Sequence, residues 1–180
     1  MTQLQPPVSE QDFSLGPQDA AVTLVEYGDY DCSHCRAVYK IVEELRLELG
    51  AALRFVYRPF PRSTRHSPGV RAAEAALAAG AQGKFWEMHG LLLAPNASLI
   101  EADLLNMPVI YREILRLDED QYVRDLTSGV DSARLQEYLQ SGISSGVQST
   151  PTFFINGRRH EDYWDVDTLR SAIELVQLGT

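Results

Sequence analysis

Two cysteines, the only two in the chain, stand at the junction between a strand-like run and a helix-like run, and that junction limits the possible folds more than any other feature. Val22 to Tyr27 is β-branched and aromatic and is bounded by Gly28 and Asp29, which reads as a buried strand. Asp29 and Asp31 mark a turn. Cys32-Ser33-His34-Cys35 then opens a helix whose apolar residues Val38, Ile41, Val42, Leu45 and Leu49 share one face, with Gly50 in the C-cap position. Cys35 falls on that buried face. Cys32 stands at the exposed N-terminal end, among unpaired backbone N–H groups and the positive end of the helix dipole. One sulfur is placed to attack and the other to wait.

Other uses of a cysteine pair fit less well. A structural disulfide across so tight a loop removes little chain entropy, about 2 kcal/mol, and cytosolic thiols are kept reduced. Zinc needs two further ligands, and His66, His89 and His160 are scattered, with no paired ligand spacing. His66 and His89 are expected at helix ends or in packing. The redox reading of Cys-x-x-Cys is favoured, and neither a metal nor an organic cofactor is implied.

The formal charge of -9, with no basic run longer than Arg158-Arg159, argues against nucleic acid or an anionic membrane as a partner. No stretch approaches the ~20 apolar residues of a membrane span. Met1 to Gln18 has no basic n-region and no continuous apolar segment, so it is not a secretory signal as written. A cytoplasmic location is expected, or a periplasmic or other extracytoplasmic one if a signal has been removed.

The 180 residues suit one α/β domain carrying an insertion. Residues 1–18 read as an extended surface segment, uninformative about function, and 66–147 as a helical insertion. The segments 19–65 and 148–180 read as βαβ and ββα halves. Leu53 to Arg58 is the second strand and Thr152 to Ile155 the third, followed by the hairpin signal Asn156-Gly157 and a helix after Asp165 or Asp167. Within the insertion, Ser67-Pro68 starts a helix that Gly80 stops, and the next helix carries Phe85, Met88, His89 and Leu92. Pro108 is expected to start a helix with Val109, Ile110, Ile114 and Leu115 in the core. Asp118 and Gln121 resemble a capping box, and a last helix follows Asp131 with Leu135, Leu139 and Ile143 inward.

Glu26 shares a strand face with Val22 and Leu24, which puts an acid in an apolar setting. Its functional reading is proton exchange with Cys35; the structural alternative is an edge position where the carboxylate reaches water. His34 can stabilise the Cys32 thiolate through its imidazolium or its N–H.

Glu26, Cys32-Ser33-His34-Cys35, and Thr150-Pro151 before a Phe-rich strand together resemble the DsbA branch of the thioredoxin superfamily. Gln82-Gly83-Lys84-Phe85-Trp86 with Met88-His89 is similar to its soluble thioredoxin-like subgroup, including domains fused to some sodium/proton antiporters. The likeness runs from about Gly16 to Leu178. It implies a thioredoxin fold and a cis-proline at Pro151 beside the active-site disulfide, with the backbone before it pairing with a substrate chain. Ser33 departs from the proline of DsbA, which bears on the potential, and His34 matches its histidine.

The expected activity is thiol-disulfide exchange with cysteine pairs of other proteins, on the oxidising side. Cys32 is the nucleophile, Cys35 the resolving thiol, His34 and Glu26 assist, and Thr150, Pro151 and Ser33 meet the substrate. The expected partners are thiol- or disulfide-bearing proteins and a redox partner that the residues do not name. Neither nucleic acid nor membrane is expected, and the chain is expected to be a monomer. The alternatives are a reductase or isomerase of the same fold, a glutathione-using relative, and a non-catalytic, chaperone-like module that binds extended peptides. An intact Cys pair argues against the glutathione-using relatives, which generally carry a lone serine-type nucleophile.

Overall fold

The computed structural model describes residues 3–62, 67–129 and 132–179. β1 (Ser14–Leu15) precedes β2 (Val22–Gly28), which runs parallel to β3 (Leu53–Pro59) with Glu26 opposite Tyr57. α1 (Ser33–Leu49) makes the crossover between them. β4 (Thr152–Ile155) pairs antiparallel with β2, β5 (Arg158–Arg159) returns beside β4, and β1 pairs antiparallel with β3. The strand order is therefore β1-β3-β2-β4-β5. The hairpin between β4 and β5 turns on Asn156 and Gly157, at φ 46 and 78, the left-handed pair that a type I′ turn requires. The Asn156 side chain ties that turn to β2: its Oδ1 accepts from the Thr23 N–H at 2.7 Å.

Side chains alternate across the sheet, and both faces are covered. Val22, Leu24, Phe55, Tyr57, Phe153 and Ile155 join one core with α1 and much of the helical block. Val25, Tyr27, Val56 and Phe154 join a second with Leu4, Phe60 and Val147. This double burial makes β2 and β3 near-continuous apolar runs. Glu26 lies on the first face, the one that meets α1.

Between β3 and β4 the described residues form α2 (Pro68–Ala81), α3 (Phe85–Leu93), α4 (Glu101–Ile110), α5 (Arg112–Leu115), α6 (Glu119–Ser128) and α7 (Ser132–Ser144). α8 (Val166–Leu178) follows β5 and is capped by Asp165, whose side chain accepts from the Thr168 N–H. Ser67 caps α2 in the same way through Val70, and Asp118 caps α6 through Gln121. His66 and Asp131 lie outside the described residues.

Four expectations are corrected. Gly80 does not stop α2: it lies inside the helix, where Phe13 presses so closely that a Cβ would meet the ring at 2.6 Å. Pro108 does not start a helix but sits within α4. Proline has no N–H for the carbonyl of Leu104, and the Tyr122 hydroxyl donates to that carbonyl instead, at 2.9 Å. Val109, Ile110, Ile114 and Ile143 are exposed rather than core, because the neighbouring helices cover other faces of α4, α5 and α7. The N-terminal segment is no loose surface stretch. Leu4 is buried, Phe13 stacks on Phe85 with ring centroids 3.9 Å apart, and Asp12 forms a buried ion pair with Arg58 at 2.9 Å.

Candidate active site

Cys32 occupies the N-cap of α1, and no side chain caps that end. Its half-buried thiol therefore sits where the first helical N–H groups and the dipole favour a thiolate. Asp29 holds the approach: its carbonyl accepts from the Cys32 N–H at 3.0 Å, and its carboxylate accepts from the N–H groups of Asp31 and Arg62. Burial raises the Asp29 pKa. The expected turn at Asp29 and Asp31 is thus an Asx turn fastened to the segment that follows β3.

Cys35 is fully buried and accepts from the Asp29 N–H at 3.4 Å. Burial, and then the negative charge of Glu26, push its thiol far up. Glu26 is 3% exposed and its Oε1 has no partner among the described residues. Burial, helped by the charge on Cys32, raises its carboxyl to about 8, so it holds a proton at neutral pH. The edge-strand alternative for Glu26 does not hold, because strands flank β2 on both sides.

The Cys32 thiol donates to the Thr150 carbonyl at 3.4 Å, which brings the segment before β4 against the pair. The Thr150–Pro151 peptide bond is cis. Ser33 and His34 are exposed. The bond expected from His34 to Cys32 is absent among the described residues; the imidazole lies instead against Trp164, with ring centroids 5.7 Å apart. The two rings are tilted by 52°, and the imidazole makes its contact on Trp164 rather than on sulfur.

Trp164, Tyr57 and Tyr30 were not legible as site residues. Trp164 reaches His34 only because the chain returns through β5 to α8, and no spacing in the sequence records that. Tyr30 and Tyr57 are buried behind Cys35, their rings 5.4 Å apart, and the Tyr30 hydroxyl bonds His89 Nδ1 at 3.1 Å. Burial and then Arg46 lower the pKa of His89 to about 3, so this imidazole is neutral and serves packing, as expected for it. An acid placed opposite a tyrosine in a parallel ladder was the available signal for Tyr57.

A parallel βαβ unit joined to an antiparallel ββα unit, with a Cys-x-x-Cys pair opening the first helix, defines a thioredoxin-fold protein with an inserted helical block. The chain belongs to the thioredoxin family, whose model matches residues 8–175. It is similar to the oxidised form of BdbD from Bacillus subtilis, with a TM-score of 0.81 at 19% identity over 93% of this chain and 94% of that one. It is also similar to a thioredoxin-like oxidoreductase from Silicibacter pomeroyi, with a TM-score of 0.80 at 27% identity over 96% and 95% of the two chains. Among curated relatives it is 41% identical over 171 residues to Na(+)/H(+) antiporter NhaA 1 of Salinispora arenicola, covering 95% of this chain and 26% of that protein. The chain thus spans about a quarter of the length of that relative. The antiporter name runs against the expectation of no membrane partner. Among the described residues, no helix is long and apolar enough to cross a membrane.

Proposed function

We propose that this protein exchanges disulfides with cysteine pairs of other proteins and works on the oxidising side. The observation that carries this reading is the Cys32 thiol at an uncapped helix N-terminus, 3.4 Å from the Thr150 carbonyl, with Cys35 buried behind it. In the disulfide form, a substrate thiolate attacks Cys32 Sγ. The Cys32–Cys35 bond breaks and its electron pair leaves on Cys35. Cys35 then takes a proton, for which protonated Glu26 is the donor on the same buried face. The second substrate thiolate attacks its partner sulfur in the mixed disulfide and releases Cys32 as a thiolate. Two electrons pass from the substrate to the pair, which ends as the Cys35 thiol and the Cys32 thiolate. One of the protons the substrate thiols shed restores Glu26 through solvent and the other stays in solvent. A disulfide-bearing partner restores the oxidised form.

The Thr150 backbone precedes the β4 ladder, where an extended substrate chain can pair with it beside Pro151, and Ser33 is exposed next to Cys32. Helix N-terminal stabilisation of a thiolate, ~0.3–1 kcal/mol, favours the reduced pair and raises its potential, at about 30 mV per 1.4 kcal/mol. An oxidising pair belongs in an extracytoplasmic setting, because cytosolic thiols are held reduced.

Equilibration of the pair with glutathione, together with denaturant curves of both redox forms, tests the direction. The expected result is a potential above that of thioredoxin and an oxidised form less stable than the reduced one. The opposite pair of results would make the protein a reductase. Likeness to an antiporter-named relative supports a second point, that one partner is membrane-borne. Cys35→Ser traps mixed disulfides; adducts in the membrane fraction support that partner, and adducts confined to soluble proteins remove it.

A further inference from the structure

Arg54, Val56 and Arg58 alternate onto one face of β3, beneath the N-terminal segment. The two arginines are treated very differently. The Arg58 Nε and Nη2 donate side-on to the two Asp12 carboxylate oxygens, both at 2.9 Å, and its remaining donors reach Tyr27, Ser141 and the carbonyls of Pro6 and Pro7. Arg54 is only 9% exposed, yet its Nη2 donates to the Ser9 carbonyl alone, at 3.3 Å, and its Nε has no partner. Among the described residues no carboxylate pairs with it, in a chain where 25 acids outnumber 16 lysines and arginines. A buried guanidinium whose Nε–H has no acceptor is costly unless something supplies one.

Arg54 lines a cavity of about 560 Å³ together with Arg158, Thr23, Asn156, Leu4 and Val8. Arg158 is exposed, and its side chain makes no hydrogen bond or ion pair among the described residues. The cavity lies at the start of β2, about 17 Å along the strand from the end that leads to Cys32, so it is separate from the redox pair. We propose that Arg54 and Arg158 form a binding site for a small oxyanion, a carboxylate or a phosphate monoester. Asp12 on Arg58 displays the side-on geometry that such a group adopts on the equivalent fork of Arg54. Arg158 supplies the second cation, and Thr23 with Asn156 forms a polar wall beside it.

The full chain is titrated at constant ionic strength with inorganic phosphate, with acetate and with chloride. Binding is read by calorimetry and by the Arg54 Nε–H resonance. Saturable heat and a saturable shift are expected with phosphate or acetate and not with chloride; whichever anion binds more tightly identifies the ligand class. Arg158→Ala should weaken binding about tenfold, the loss of one charge-assisted partner, while leaving thiol exchange unchanged. Arg54→Lys keeps the charge without the fork and should abolish saturable heat. An equal response to all three salts, or wild-type binding in both variants, overturns the proposal.

Discussion

Glu26 and Tyr57 face each other across the parallel β2–β3 ladder, and each buries a polar atom, Oε1 and the phenol oxygen, that has no partner among the described residues. The pair sits behind Cys35, and burial pushes both groups toward their protonated forms. Their shared neutrality keeps an acid and a phenol tolerable within an apolar face.

Glu26 sets a pH dependence of stability. Its folded pKa of about 8 exceeds the ordinary 4.5, so between those values the folded chain holds a proton that the unfolded chain has lost. The associated stability is fully present below the unfolded value and is lost as pH rises through the folded one, at up to ~1.4 kcal/mol per pH unit. Glu26→Gln should flatten that slope in urea unfolding curves from about pH 5 to about pH 8. Equal slopes in the two proteins would show that the carboxylate is solvated. The same variant should also slow formation of the mixed disulfide, the step in which the departing Cys35 takes its proton from Glu26.

Tyr57→Phe removes an unpartnered hydroxyl from a fully buried ring. The expected change in unfolding free energy is close to zero or favourable, because an unsatisfied buried donor is lost while the packing is kept. A loss of more than about 1 kcal/mol would mean that the hydroxyl is bonded through internal water.

Cys32 is half-exposed and Cys35 is not exposed at all. A small alkylating reagent at mildly acidic pH should therefore modify Cys32 well before Cys35 in the reduced protein, as read by peptide mass spectrometry. Equal modification, or preference for Cys35, would reverse the assignment of nucleophile and resolving thiol.

Asp12→Ala strands the buried Arg58 guanidinium, whose side-on partner it removes. A loss of about 3–5 kcal/mol is expected in denaturant unfolding. A change below about 1 kcal/mol would show that Pro6, Pro7, Tyr27 and Ser141 suffice to hold Arg58.

Elements built from local patterns were legible. The apolar face of α1, the β-branched run of β2, the Asn156-Gly157 turn and the caps at Ser67, Asp118 and Asp165 each depend on residues within a few positions of one another. Pro108 was misread for the complementary reason. Whether a helix accepts an internal proline depends on who takes the freed carbonyl, and here that is Tyr122, from another helix.

By itself the sequence determined the strand-to-helix junction, the placement of one thiol outside and one inside, and an acid on the apolar face of β2, because period and capping are properties of neighbouring residues. Only the tertiary structure decided that Thr150 meets Cys32, that His34 lies against Trp164 instead of sulfur, and that Asp12 serves Arg58 while Arg54 has only the Ser9 carbonyl. Those contacts join segments far apart in the chain. Their partners are selected by which faces the packed sheet and helices bring together, and no local periodicity encodes that choice.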